Sequence, residues 1–444
     1  MSFAANLIKA RSNLAFLTGL CIAAGVALAV ERRGDLASVM SGSAATIQRS
    51  TDALPIAERR PITAADEEAA ATAWAYFAAN TQTTGLANSA NSYPSTTMWD
   101  QASYLMGLIS AHRLGIVSDT EFNDRVARNL DSLARIPLFD DLLPNKAYNT
   151  ITLEMTDYTN TAQPRGIGWS ALDVARIAVP LSIILYNHPE HAARAAALLS
   201  HWRFDAMMRD GQFYGARVNE ETDATELVQE GRLGYEEYGA RALALVGVDS
   251  ILALSYDRFL KYEDVSGIEI AVDSRTQDVW DANNYVVSEP YILTGIEFGF
   301  DVEGEILAER VYRAQESRYR DTGILTAVSE DNLDQEPYFI YNTVYANGKA
   351  WNAISESNED LSHLRTLSAK AAFGWDVLFD TEYTRRLRAN VESARSDSFG
   401  WFAGTYESDG RSNEVATANT NGIILETIAY RAFGPLMQTR YADR

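Results

Sequence analysis

Carboxylates, amides and aromatic rings recur at one kind of place in this 444-residue sequence, immediately ahead of apolar helical runs. Trp99 and Asp100 open one run. Tyr148, Arg165, Trp169 and Asp173 lead into another through "NKAYNTITLEMTDYTNTAQPRGIGWSALD". Glu230, Arg232, Tyr235, Glu236 and Glu237 crowd "QEGRLGYEEYGA", Glu289 lies in "NNYVVSEPYIL", and Glu330, Asp331, Asn332 and Asp334 lie in "AVSEDNLD". Trp375, Trp401, Glu407 and "NTNG" at 419–422 close the set. This inventory suits glycosidic chemistry. A sugar offers hydroxyls to Asp, Asn and Arg and an apolar ring face to Trp and Tyr. Cleaving its acetal takes a protonated carboxyl for the leaving oxygen and a second carboxylate to activate water or attack.

Asp100, Glu237 and Glu330 are the candidates for that acid/base pair, with Glu289 in reserve. Burial against aromatics or a like-charged neighbour raises a carboxyl's pKa, and Glu236-Glu237 between Tyr235 and Tyr238 fits both conditions. Adjacent helical residues point about 100° apart, so at most one of the two faces a common centre. Glu237 is taken as the inward one, with Glu236 pairing Arg232 or Arg241. Trp99, Tyr148, Arg165, Trp169, Asp173, Glu230, Arg232, Glu236, Glu289, Asp331 and Trp375 are the candidate substrate contacts. Plainer readings stand beside these. Asp100 and Glu289 suit helix starts electrostatically, Trp169 and Trp375 sit on apolar stripes, and Glu236 and Glu237 can simply anchor Arg232 and Arg241. The oxygens of 330–334 lack the spacing, glycine and terminal glutamate of a calcium loop, so no metal is expected. One cysteine, Cys21, and five histidines give no metal-ligand or nucleophile pattern, and no cofactor is expected.

Positioning these residues falls to helices. Apolar residues repeat with helical period from Asp66 onward, first in "ADEEAAATAWAYFAAN", capped by Thr63 or Asp66, and then at 97–114, 119–135, 168–186, 190–209, 234–248, 250–261, 289–299, 302–319, 361–379, 381–395 and 417–433. Only "IEIAVDS" (268–274) and short pieces near the glycine loops read as strand-like. Four glycine-containing junctions (83–100, 210–237, 321–342 and 399–422) share one plan of glycine, apolar residues, polar stretch and new helix. About a dozen paired helices with such a repeat predict an all-α fold, an (α/α)6 toroid whose long functional loops open at one end. The domain is expected over 66–435, after a flexible linker at 31–65 and before a tail at 436–444.

The formal charge of −22 argues against a nucleic-acid partner, which needs net Lys/Arg neutralisation. Lys9 and Arg11 precede an uncharged run at 14–30, followed by Arg32 and Arg33, so residues 1–30 read as a signal peptide or a signal anchor. Export to the periplasm or beyond follows, with membrane anchoring through 14–30 if the segment is retained.

The stretches "PNKAYNTITLEMTDY", "PRGIGWSALDVAR", "QEGRLGYEEYGA", "SEPYILTGIEFG", "TAVSEDN", "KAAFGW" and "NTNGIILE" resemble the bacterial domain-of-unknown-function family 3131. The resemblance spans roughly 66–433. It implies a fold similar to glucoamylase-like (α/α)6 domains and a setting in exopolysaccharide or glucan machinery, and it assigns no catalytic residue. The leading expectation is a glycoside hydrolase or transglycosylase acting on a glucan or exopolysaccharide. The alternative is a non-catalytic glycan-binding or assembly protein of a polysaccharide synthesis or export system. A toroidal lyase, which needs a base and charge neutralisation for a uronate, is disfavoured by few histidines and strong acidity.

Overall fold

Short polar residues set the helix starts. Thr63, Thr97 and Thr381 each accept a hydrogen bond from the backbone three residues on, and the side chains of Asp66, Asp100 and Thr384 answer to the cap. A computed structural model describes residues 47–280 and 283–437. Its helices are α1 (Ala64–Asn80), α2 (Met98–Arg113), α3 (Asp119–Leu133), α4 (Ala171–Asn187), α5 (Pro189–His201) and α6 (Tyr235–Leu245). They continue with the single turn α7 (Gln277–Trp280), α8 (Glu289–Leu293), α9 (Val302–Thr322), α10 (Ala369–Phe379), α11 (Glu382–Val391) and α12 (Ala418–Phe433). A π-helical turn, Thr294–Phe298, extends α8.

Six of these helices form a closed inner ring. α2, α4, α6, α8, α10 and α12 each pack on the next, and α12 returns to α2. That last seam is tight because Gly422 lets the backbones meet: a Cβ there would lie 2.5 Å from the Ser103 carbonyl oxygen. Outside the ring, α1 packs on α12, α5 on α4, α3 on α2 and α5, α9 on α8, and α11 on α10.

The sixth outer position departs from the expected helix at 250–261. Turns and a 3-10 segment (Tyr256–Phe259) lead there into an antiparallel hairpin, Leu260–Val265 with Ile268–Asp273, packed on α9. The alternating strand 268–273 needs a partner of matching length, and 260–265 supplies all six registers. Pairing outweighs the weak local helical period. The predicted 361–379 helix also starts late, at Ala369, because 366–368 pairs with 404–406.

The fold is therefore not purely all-α. The short strand-like pieces near the glycine loops prove to be small antiparallel sheets at the junctions, including 95–96/147–149/155–156, 208–209/212–218/225–230, 330–332/339–342/353–354 and 366–368/400–406/412–416.

Residues 47–62, expected as linker, run along α9 and across the C-terminal ends of α10 and α12. Arg310 donates to the Gln48 carbonyl (2.7 Å), and Arg313 pairs with Asp52 (2.8 Å). The Leu54 amide donates to Glu309 (3.2 Å). The amides of Ala57 and Arg60 donate to the carbonyls of Leu378 (2.7 Å) and Arg431 (3.1 Å). The segment read as a signal or anchor and the tail beyond residue 437 lie outside the described residues. Among those described, no helix is long and apolar enough to cross a membrane.

Candidate active site

All six inner helices begin at the sheet-bearing end of the ring, so residues in their first turns converge. Trp99 is the second residue of α2, Tyr235 the first of α6, Glu289 the first of α8, Lys370 the second of α10 and Asn419 the second of α12. Glu289 is the hub. The Trp99 indole N–H donates to its Oε1 at 3.0 Å, and the Asn419 amide donates to Oε1 and Oε2 at 3.0 and 3.2 Å. Lys370 Nζ lies 2.6 Å from Oε2, and Arg176, buried in α4, lies 3.5 Å from Oε1.

Arg176 also stacks over Trp99, 4.4 Å from the ring centroid. Its other nitrogen faces Glu426 (3.3 Å) and Glu297 (3.8 Å), and the Tyr238 hydroxyl donates to Glu297 at 2.7 Å. Burying an unpaired guanidinium would be very costly, and these carboxylates make its position in the ring interior tenable.

The hairpin 330–332/339–342 forms one wall. Lys370 donates to the Glu330 carbonyl and lies 3.6 Å from Asp331, whose other contact is the Ser368 hydroxyl at 3.2 Å. The Glu330 side chain turns the other way, toward Tyr235 and Tyr285, and its Oε1 is enclosed with no hydrogen-bond partner. Across the ring stand Asp100, which closes the cap on Thr97, and Asp173, which accepts from the Ser170 hydroxyl at 2.9 Å. Glu230 meets the same Ser170 hydroxyl (2.6 Å) and the Ala171 amide (2.8 Å).

The electrostatics separate neighbouring acids. Burial alone would raise Glu289, but the charges of Lys370 and Arg176 prevail and hold it below its ordinary value. Glu330 is pushed up to about 7, by burial first and then by Glu289, with Lys370 opposing. Asp331 rises to about 6, chiefly through burial. Asp173 rises to about 7 through burial and then Glu230, and burial raises Asp100 as well. An ionised carboxylate beside one that keeps its proton near neutrality is the arrangement that assigns base-like and acid roles.

The structure brings Trp99, Asp100, Asp173, Glu230, Glu289, Glu330 and Asp331 to this end of the ring. It sends the other candidates elsewhere. Glu237 caps its own helix by accepting from the Gly234 amide (2.6 Å), and its field acts on Tyr256 and Tyr291. Its proton is held up to about 8 by burial and by Glu236. Glu236 pairs with Arg275, not with Arg232 or Arg241, and accepts from the Phe213 amide (3.1 Å). Arg232 is buried against Gln229 and the Gly231 carbonyl, and Arg241 pairs with Asp301. Tyr148 is fully enclosed, with its hydroxyl on the Pro137 carbonyl (2.7 Å). Trp169 packs on Phe139 and bonds the Tyr214 carbonyl, and Trp375 is core, bonding Ser288. Arg165 pairs on the surface with Asp140 (3.0 Å) and Asp223 (3.1 Å).

Sequence reasoning passed over Lys370 and Arg176 and held Asn419 only within "NTNG". Arg176 had a signal, since it interrupts an otherwise apolar run. Lys370 sits in the first turn of its helix, where the dipole disfavours a cation, but the sequence placed that helix start at 361 and hid the anomaly. Among the described residues no cluster of three His, Cys, Asp or Glu could hold a metal.

The family profile described as Protein of unknown function (DUF3131) matches residues 68–434. No curated protein matches the sequence. Among solved structures, a candidate glucoamylase of Bacteroides fragilis superposes with a TM-score of 0.62 at 13% identity, covering 88% of this chain and 95% of that one. An endo-β-1,2-glucanase of Chitinophaga pinensis, complexed with sophorotriose and glucose, gives 0.61 at 13% identity over 85% and 95%. Glucoamylase of Saccharomycopsis fibuligera gives 0.50 at 10% identity over 86% and 98%. These likenesses show a glucoamylase-like fold.

Proposed function

The chain belongs to the DUF3131 family, and from that premise we propose that it is a carbohydrate-active enzyme, a glycoside hydrolase or transglycosylase acting on a glucan. Glu330 is the acid that protonates the leaving oxygen, and Glu289 is its ionised partner. The observation that carries this reading is the convergence of Glu289, Trp99, Lys370 and Asn419 from the first turns of four inner helices beside the hairpin that bears Glu330, and the opposite shifts of Glu289 and Glu330 support it. Trp99 and Asn419 orient Glu289, Lys370 and Arg176 keep it charged, and Asp100 and Asp173 bind sugar hydroxyls from across the ring. The neighbouring glucanase structures, which hold sophorose-type sugars, support the substrate class. The apolar run at 14–30 supports export to the periplasm or outside the cell.

The test is release of new reducing ends, or of longer transfer products, from a panel of linear glucans. Glu330→Gln is expected to lower turnover by about 10²–10⁴-fold, the usual worth of a general acid, while binding persists. Full activity in Glu330→Gln would overturn the assignment. One observation favours a second reading: both oxygens of Glu289 are already committed to protein donors. A non-catalytic glycan-binding protein would bind members of the panel and release nothing.

A further inference from the structure

The hairpin that carries Glu330 has a second face-sharing set of residues. Its register places Glu330 directly opposite Tyr341, and Asn332 opposite Phe339. Side chains two apart on a strand, and those directly opposite across the pair, stand on one face of the sheet. Glu330, Tyr341, Asn332 and Phe339 therefore form one row, with Asp331 and Ile340 on the reverse face and buried. The row is continuous in ring contacts. Phe339 meets Tyr341 edge-on at 5.1 Å, Tyr341 meets Tyr285 at 4.9 Å, Tyr285 meets Tyr235 at 6.2 Å, and Tyr235 meets Trp99 at 5.7 Å. Burial decreases along it, from Tyr235 to the half-buried Tyr285, Tyr341 and Phe339, and beyond Phe339 the chain turns at Tyr338, which is 59% exposed.

The charges around this row bear on what it accepts. Glu289, Glu330, Asp100, Asp173 and Glu230 all stand at this end of the ring. The two cations among them are spoken for: Lys370 by Glu289 and Asp331, Arg176 by Glu289, Glu297 and Glu426. Neither is left to neutralise a substrate carboxylate, sulfate or phosphate, and desolvating such an anion beside these acids would be costly.

We propose that Tyr285, Tyr341 and Phe339 form a stacking rail that carries an uncharged oligosaccharide from Glu330 to the rim, with Asn332 bonding hydroxyls along it. The rail makes recognition depend on chain length and excludes uronate-containing glycans. This rests on the carbohydrate reading above but not on turnover. Aromatic faces bind successive residues of a polymer, so each sugar added along the rail adds affinity until the rail is filled.

The experiment is equilibrium binding by calorimetry to the full chain carrying Glu330→Gln. The probes are a neutral glucan series from disaccharide to hexasaccharide and oligogalacturonates of the same lengths. Affinity is expected to rise with length for the neutral series and to be absent for the uronates. Phe339→Ala and Tyr341→Ala are each expected to weaken hexasaccharide binding about tenfold, which is about 1.4 kcal/mol, and disaccharide binding less than twofold. Phe339 and Tyr341 are half-buried on a hairpin, and the disaccharide affinity each variant retains shows that it is folded. Length-independent affinity, equal uronate binding, or unchanged hexasaccharide affinity in Phe339→Ala and Tyr341→Ala would overturn the rail. Length-dependent binding without any product from the wild-type protein would uphold the rail and overturn the enzyme reading. Turnover with no length dependence would do the reverse.

Discussion

A carboxyl's role here follows from what surrounds it more than from its neighbours in sequence. Glu237 and Glu330 are both glutamates beside aromatics, and both are pushed up, to about 8 and about 7. Glu237 spends its oxygen on the Gly234 amide, whereas Glu330 keeps one oxygen unengaged. Glu237→Gln is therefore expected to retain activity within about twofold, since an amide oxygen still caps the helix. Its stability should change with pH in a definite sense. A raised folded-state value means the proton-linked stability is complete below the unfolded value and is lost as pH rises through about 8. Thermal unfolding at about pH 6 and about pH 9 should show the variant losing less on going alkaline than the wild type. The pH–rate profile belongs to the same scale. Because Glu330 must carry its proton to act as the acid, kcat/KM is expected to fall as pH rises through about 7. A flat alkaline limb to about pH 9 would remove Glu330 from that role. The sequence made Glu330 and Asp100 visible as acids near aromatics. It could not show that Glu237 points back along its own helix, because facing is a matter of ring geometry.

At the scale of elements, one end of the barrel was legible because inner helices announce their starts. Thr97, Ser170 and Thr417 accept from the backbone three residues on, and Trp99 with Asp100, Asp173 and Asn419 respectively follow within a turn. Eleven of twelve helical segments read from periodicity are found as helices, and the exception at 250–261 fails for a reason outside that segment, the pairing demand of 268–273. Sheets at the junctions were legible only as short strand-like pieces near the glycine loops, because strands of two or three residues carry no readable alternation. Glycine 422, in contrast, was visible but unexplained in "NTNG". Its contact with Ser103 makes α2 and α12 meet. Gly422→Val is expected to destabilise the protein by at least about 1–3 kcal/mol through overpacking at this seam. Denaturant unfolding would register it, and because Asn419 rides on the same helix, affinity for glucan should weaken along with stability.

The molecule as a whole has two unlike ends. The N-terminal ends of the inner helices present the acids and the aromatic row, and the C-terminal ends of α10 and α12 receive residues 47–62. Deleting the chain up to residue 58 removes the contacts of Gln48, Asp52, Leu54 and Ala57 while keeping the Thr63 cap. Such a variant is expected to unfold about 1–2 °C lower, from a loss of about 1 kcal/mol in a chain of this size, with glucan affinity unchanged. A changed affinity would mean that the two ends are mechanically linked. The strap has an orientational consequence as well. Its first contacts, Arg49 with Glu305 (2.7 Å) and Gln48 with Arg310 (2.7 Å), lie on the N-terminal half of α9, beside the end of the barrel opposite the acids. A long polymer lying across the acids therefore does not pass over the strap.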